Sequence, residues 1–320
     1  TTTKTIQYVS WSFYTTQQVP MQRVFDELYP GTPSLSHLIS NAAVAFANID
    51  PLTDFAHPTL SKIVPIGGIT VTKPHPLDKY WSDILSLRNQ TVLISFGSIA
   101  KSVFMSPARK AALLKAFASF PQITFIWKYE DKSDYFAKFN ASKVENVVLT
   151  DWMPQLDILA DSRLSLFISH AGKASCHEIT HFGVPSLLIP ILGDQVHNAA
   201  ALAHIGVAQV FNKLDMTNSG KVQAAIEEML GNPAYKETAL RIRDQLEARP
   251  TSPEQNLVKN VEFAARFGPS KSLRPLNLEL TTTQFYGIDI ALIVVGSIIF
   301  IILAIRYFFL RLRRSLLALT

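Results

Sequence analysis

Cysteine is almost missing from this chain: Cys176 is the single one in 320 residues. That excludes a disulfide framework and leaves Cys176 to be read as an inert helix residue. Two nucleotide signatures are also missing. There is no GxGxxG and no GxxxxGK followed by Ser or Thr, so neither the dinucleotide fingerprint nor the P-loop is present. No basic stripe with interleaved aromatics appears. The net charge of +5 owes most of its excess to Arg306, Arg311, Arg313 and Arg314 near the end, which removes the support for a nucleic-acid partner. No internal repeat or low-complexity tract is evident. The chain opens at Thr1 with neither Met nor a signal-like apolar run, and is read as a fragment or a processed chain.

What is present is apolar material enough for a sizeable core, 48% of the residues. Near the end, the stretch from Ile290 to Ile305 is uncharged and mostly apolar, and Ile288–Leu310 extends it to a length that can span a bilayer as a helix. That needs roughly 20 residues, and an arginine at the end can snorkel. Arginines on its C-terminal side favour a cytosolic tail, which puts the preceding residues in a lumen or outside. The sequons at Asn89 and Asn140 fit that side.

Along the chain, residues 1–64 hold apolar segments such as TIQYVSWSFY and AAVAFANID. They make no complete alternating series and read as the end of a domain whose start is missing. Residues 63–81, rich in Pro and Gly, read as an interdomain linker. From Thr91 the pattern becomes regular. TVLISFGS is a continuous apolar strand. SPARKAALLKAFASF follows as a helix, with Ser106 as N-cap and Pro107 at its first position. ITFIWKY and VVLT are short buried strands; LSLFIS leads to KASCHEITHF, PSLLIP to DQVHNAALAHIG, and VAQVF to NSGKVQAAIEEML. Strands alternating with helices predict an α/β fold on a doubly wound parallel sheet. Ligands bind such sheets outside the carboxyl ends of the strands. The loops FGS, DWMPQ, SHAGKAS and GDQVHN therefore hold the candidate site.

SHAGKASCHE, residues 169–178, carries the most chemistry. A helix beginning near Lys173 offers free backbone N–H groups and a partial positive charge. Gly172 lets an anion approach, Ser175 adds a hydroxyl and His170 an imidazole N–H; together they form a phosphate cradle that needs no metal. Glu178, further along, suits sugar hydroxyls. A rival reading uses the same glutamate: His177, Glu178 and His181 spell HEITH, a formal match to the zinc-hydrolase pattern HExxH. FGVP stops the helix just after His181. The extended HExxHxxGxxH pattern fails, because Val184 and Leu187 stand where it needs Gly and His.

The run Phe167–Asn198 resembles the donor-binding signature of the UDP-glycosyltransferases, specifically the animal membrane-anchored UDP-glucuronosyltransferases. The PSLSHLISNAAVAFANID approach, IGGI, SFGS, WMPQ and the single C-terminal span agree in order. The resemblance implies a GT-B type fold with a Rossmann-like donor domain. Its organisation would be the end of an N-terminal acceptor domain at 1–64, a linker at 65–90, a UDP-sugar-binding domain at 91–270, a juxtamembrane segment at 271–287, a transmembrane helix at 288–310 and a basic cytosolic tail at 311–320. It implies that Trp152 stacks on the uracil and Gln155 bonds nearby. His170, Gly172 and Ser175 would hold the diphosphate with help from Ser98, Glu178 would take the ribose hydroxyls, and Asp194 and Gln195 the transferred sugar. The reaction implied is inverting transfer from a UDP-sugar to a small lipophilic acceptor, with no metal or other cofactor, in the lumen of the endoplasmic reticulum. The catalytic base, a His with an Asp partner, would lie in an N-terminal region that these residues do not include. The chain departs from the family pattern at Ala171 and Ala174, and carries His197 where the animal enzymes commonly have Asp. The amide usual at position 174 lies close to the diphosphate, so its loss is expected to weaken donor binding. That keeps a second reading open, a catalytically inactive donor-binding subunit in a homo- or hetero-oligomer.

Overall fold

The computed structural model describes residues 12–274 and 280–317, without the side chains of Tyr14 and of residues 312–317. Most of the TIQYVSWSFY segment, part of the juxtamembrane segment and the last three residues of the tail lie outside the described residues. So do the side chains of Arg313 and Arg314. The chain divides into two compact units, one of residues 44–266 and one formed by residues 1–43 with 267–320.

The second of these contains helices α1 (Val19–Leu28) and α2 (Leu35–Ser40), the latter capped by Ser34, whose hydroxyl accepts from the His37 N–H at 3.2 Å. Its C-terminal part is given below.

The 44–266 unit begins with a two-stranded parallel ladder, β1 (Ala45–Ala47) against β2 (Ile63–Pro65). Helix α3 (Lys79–Leu85) follows, with the Asp78 carboxylate accepting from the Trp81 N–H at 2.9 Å. The Pro- and Gly-rich reading of 63–81 misses this helix, because its apolar residues Trp81, Ile84 and Leu85, all buried in the core, straddle the end of the Pro-rich stretch. The remaining elements alternate in chain order: β3 (Gln90–Ser95), α4 (Pro107–Ala118), β4 (Ile123–Lys128), α5 (Tyr135–Phe139), β5 (Val147–Thr150), α6 (Gln155–Ala160), β6 (Leu164–Ser169), α7 (Lys173–Phe182), β7 (Ser186–Leu188), α8 (Gln195–His204), β8 (Ala208–Val210), α9 (Ser219–Gly231), α10 (Pro233–Glu247) and α11 (Pro253–Phe267). Ser106 stands at the N-cap of α4, but its side chain makes no capping bond there; Pro107 in the first turn is the effective start signal.

Strands β3 to β8 form one six-stranded sheet in the order β5-β4-β3-β6-β7-β8, every neighbouring pair parallel. A sheet covered on both faces needs apolar residues at successive positions, which is why its central strands read as continuous runs. Leu93 of β3 joins Ile126, Phe167 and Leu188 in one core cluster. Its neighbours Val92 and Ile94 join Phe125, Trp127, Leu166 and Ile168 in the other. The order reverses between β3 and β6, adjacent in the sheet but joined through β4 and β5. This is the doubly wound topology, with its crevice at the switch point.

The boundary at Val44 is drawn by polar contacts as well as by strands. Asp50 pairs with Arg249 at 3.0 Å, Asp54 with Lys173 at 3.1 Å, and Asn48 Oδ1 lies 3.1 Å from His177 Nε2. Gly67 and Gly68 of IGGI permit close approach there: a Cβ would fall 2.4 Å from the Ile49 backbone at the first and 2.4 Å from the His181 ring at the second.

In the other unit, α12 (Thr282–Phe285) has a capping box of Thr281 and Gln284. Helix α13 (Ile288–Leu317) includes Ile288–Arg311, 24 residues of mean hydropathy 3.0 with none of that window buried. It is long and apolar enough to cross a membrane.

Candidate functional site

The loops after β3, β5, β6 and β7 enclose a cavity of about 580 Å³ at the switch point. Its walls include Ser98, Trp152, Gln155, His170, Gly172, Ser175, Glu178 and Gln195, so eight of the nine residues singled out in the sequence meet in one place. Asp194 is the exception; it is exposed at the start of α8 and does not line the cavity.

His170 organises the floor. Its ring lies between the two glycines that follow β3 and precede α7. A Cβ at Gly97 would sit 2.7 Å from its Cε1, and a Cβ at Gly172 2.6 Å from its Nε2. Gly97 also has φ +84, a conformation that side chains resist. Among the described residues, the His170 Nδ1 is buried without a hydrogen-bond partner. Burial lowers the His170 pKa; the charge of Asp194 and the backbone of Ser95 work against this, and the charge of Lys128 adds to it. The result is a neutral imidazole, which can donate one N–H to an anion. Ala171, in the turn between β6 and α7, is fully buried and left-handed at φ 63. Asn198 steadies it by donating to its carbonyl at 3.1 Å.

Helix α7 starts at Gly172 with no side chain capping it, so its first N–H groups remain free for an anion. Lysine 128, which the sequence reading passed over, ends β4 beside them. It is 8% exposed, donates to the Gly97 carbonyl at 3.1 Å, and holds its Nζ 5.4 Å from the centroid of the Trp152 ring. A lysine closing the apolar run ITFIWK is a visible signal, since charges are seldom buried without a role. Trp152 is 74% exposed although large and aromatic; its backbone is fixed by the Thr150 hydroxyl, which donates to its carbonyl at 2.5 Å.

The remaining polar groups are partly engaged with one another. Gln155 Nε2 donates to Glu178 Oε2 at 2.5 Å and to Ser175 Oγ at 3.3 Å. Burial raises the Glu178 pKa, and the Gln155 bond opposes that. Gln195 Oε1 accepts from the Ile191 and Leu192 N–H groups at 2.8 and 3.0 Å, so its oxygen shapes the loop and only its amide nitrogen is open to a ligand. Asp194 stands at the N-cap of α8 but makes no capping bond; its carboxylate accepts from Asn198 at 2.8 Å. Ala174 lines the cavity with a methyl group only.

The HEITH residues are used differently from a zinc site. His181 Nδ1 donates to the His177 carbonyl at 2.8 Å, and its Nε2 faces the Arg249 guanidinium at 2.9 Å, a position hostile to a cation. His177 is buried against Asn48, and Glu178 turns toward Gln155 instead. Cys176 is buried in α7, where burial pushes its thiol up to about 12. It is inert for that reason.

A helix N-terminus, a neutral imidazole and a lysine thus meet beside an exposed indole at the switch point of a doubly wound sheet, an architecture of the GT-B glycosyltransferase kind. A solved glycosyltransferase of kitacinnamycin shares the fold, with a TM-score of 0.57 at 15% identity over 82% of this chain and 66% of that one. The chain belongs to the UDP-glucoronosyl and UDP-glucosyl transferase family, whose model matches residues 5–317. It is 31% identical over 263 residues to a putative UDP-glucuronosyltransferase, ugt-47, of Caenorhabditis briggsae, covering 81% of this chain and 48% of that protein. It is 28% identical over 305 residues to human UDP-glucuronosyltransferase 1A4, covering 94% and 54%. The chain thus spans about half the length of the curated relatives it matches.

Proposed function

We propose that this chain supplies the donor-binding half of a UDP-glycosyltransferase that moves a hexose or hexuronic acid from a UDP-sugar to a small lipophilic acceptor, with inversion. The relatives' names point to glucuronic acid. The observation that carries the reading is the exposed face of Trp152 set beside a cradle of Lys128, His170 and the α7 N-terminus. The indole takes the uracil by stacking, and the cradle takes the diphosphate. Glu178 and Gln155 receive the ribose, with Asp194 and the amide of Gln195 toward the sugar. The donors stand in position before charge develops, so the departing diphosphate is stabilised as the bond to the anomeric carbon breaks. The base that deprotonates the acceptor is not assigned among these residues. No metal is invoked, since helix, lysine and imidazole suffice for the charge. Helix α13 anchors the chain in a membrane, with the donor unit in the lumen of the endoplasmic reticulum by likeness to the family.

A second reading, a donor-binding partner subunit without catalysis of its own, draws support from the bare methyl of Ala174 in the cavity wall. Calorimetric titration of the detergent-solubilised chain with UDP, with ADP, and with UDP plus chelator tests the first reading. Selective, chelator-insensitive UDP binding that weakens at least tenfold in Trp152→Ala supports it. Folded protein that ignores UDP refutes it.

A further inference from the structure

Helix α13 is longer than its apolar part, and the surplus has a different character. The whole helix, Ile288–Leu317, has 30 residues. That is about 45 Å at 1.5 Å per residue, against a hydrocarbon core of about 30 Å. Its first part, Ile288–Ile305, is about 27 Å long on the same scale and carries no charged side chain after Asp289. From Arg306 the composition changes. Arginines stand at 306, 311, 313 and 314, and no acidic residue follows Asp289 anywhere in the chain. Because the backbone stays helical to Leu317, these letters convert to positions on a surface. At about 100° per residue, positions 306, 311, 313 and 314 fall within about 160° of arc. Tyr307 lies in the same arc. The Arg311 guanidinium carbon is 5.9 Å from its ring centroid, a cation–π contact made across one helical turn. Positions 308, 309, 312 and 316, two Phe and two Leu, fall within about 100° on the opposite side. Leu310 and Leu317 are the apolar exceptions on the arginine side. The helix is thus apolar all round before Arg306 and divided lengthwise after it.

Resting on the reading of α13 as a membrane anchor, we propose that residues 306–317 form an interfacial helix that gathers anionic phospholipids around the chain. Guanidinium groups bind phosphate and carboxylate oxygens through paired N–H donors. A zwitterionic headgroup offers its phosphate together with a cation, whereas an anionic one leaves a net negative charge for the arginines. The apolar side fits the same partner. An upright helix would carry positions 308, 312 and 316 out through the headgroups into water. A helix leaning toward the membrane plane lays those positions against acyl chains and keeps the arginines at phosphate depth. An acidic soluble protein would use the arginines but would give the opposite side nothing to cover it. The lipid surface satisfies both sides, and α13 is continuous with it.

The test is electron paramagnetic resonance of the full chain reconstituted in phosphatidylcholine vesicles with a trace of spin-labelled lipid, either phosphatidylserine or phosphatidylcholine. The motionally restricted fraction reads how much of each lies against the protein. At about 0.1 M salt, phosphatidylserine should associate about threefold or more in preference to phosphatidylcholine. At about 1 M salt the screening length falls from about 10 Å to about 3 Å, and the ratio should approach one. Arg311→Gln, Arg313→Gln and Arg314→Gln together should bring the low-salt ratio to about 1.5 or less. Arg→Lys at the same three positions keeps the charge and should hold it above about twofold. Arg306 is retained in both, so the end of the span is unchanged. Should a variant fail to insert, the salt series on the wild type still decides. Alkaline extraction of the same vesicles checks the anchor. A chain washed out by carbonate overturns the anchor reading and the inference together. A chain that stays integral yet associates equally with both lipids at low salt overturns the inference alone and leaves the arginines to an acidic soluble partner.

Discussion

Acid should loosen α7, which opens at the candidate site, and His177 sets the size of the effect. This residue of α7 is 1% exposed, facing Asn48. Burial, then the charges of Lys173 and His181, lower its pKa from 6.5 to about 4, while Asn48 and Asp50 pull the other way. A base with a depressed pKa binds its proton more weakly folded than unfolded. Stability is therefore full above pH 6.5 and falls as pH drops through that value toward 4, because the unfolded chain takes up a proton that the folded one refuses. At about 1.4 kcal/mol per pKa unit, the full displacement is worth about 3 kcal/mol, of which about 2 kcal/mol is lost by pH 5. For a unit of this size that is roughly 4–8 °C in Tm. The assay is thermal unfolding of the detergent-solubilised chain from pH 7.5 to 5, wild type against His177→Gln, which keeps a polar group toward Asn48 without a titrating ring. His170 and His181 are also depressed by burial and contribute to both curves equally. The wild type should lose more Tm toward acid than the variant. Parallel pH profiles would refute the assignment.

Three further outcomes can be checked. Gly97→Ala places a methyl against the His170 ring, so UDP affinity should drop at least tenfold while far-UV circular dichroism stays unchanged; retained affinity would mean the ring is free to move aside. Ala171→Gly relieves a left-handed φ that costs a non-glycine residue about 1 kcal/mol, but loses a buried methyl; Tm should shift by no more than a few degrees, and a large fall would show that the methyl outweighs the backbone. Arg249→Met leaves the buried Asp50 without its ion pair and His181 without its donor. A loss of about 3 kcal/mol is expected in urea unfolding, and an unchanged midpoint would contradict it.

Much of the sheet unit is legible in the sequence because its signals are local. Apolar runs mark β3, β4 and β6. Pro107 starts α4, and Gly183, left-handed at φ 62, ends α7 where FGVP predicts. The candidate site is legible for a related reason: in a doubly wound sheet, strand-end loops converge at the switch point whatever their spacing along the chain. Contacts between distant segments are another matter. Nothing in the local pattern of DPLTDF announces that Asp54 meets Lys173 and His197, or that Asp50 meets Arg249. Those pairs are fixed by how residues 44–66 lie on α7, α8 and the loop after α10. Gln195 illustrates a subtler gap. Its side chain could be assigned to the site from sequence, but not the two backbone N–H groups that already hold its oxygen. His177 and His181 spell a metal motif only as letters, since the surroundings of each ring decide its chemistry.

The ring of His170 between Gly97 and Gly172 has a consequence for how this site can change by descent. The three positions sit on two loops that are far apart in the chain, yet the same ring fills the space a side chain would need at either glycine. While the histidine remains, no larger residue can enter at either glycine without displacing it. If a lineage replaced the histidine with a small residue, Gly172 would be released, while Gly97 would still be held to glycine by its left-handed φ of +84. His170 and Gly172 should therefore be inherited or lost as one character, which makes Gly172 the marker of a working imidazole in any descendant of this chain.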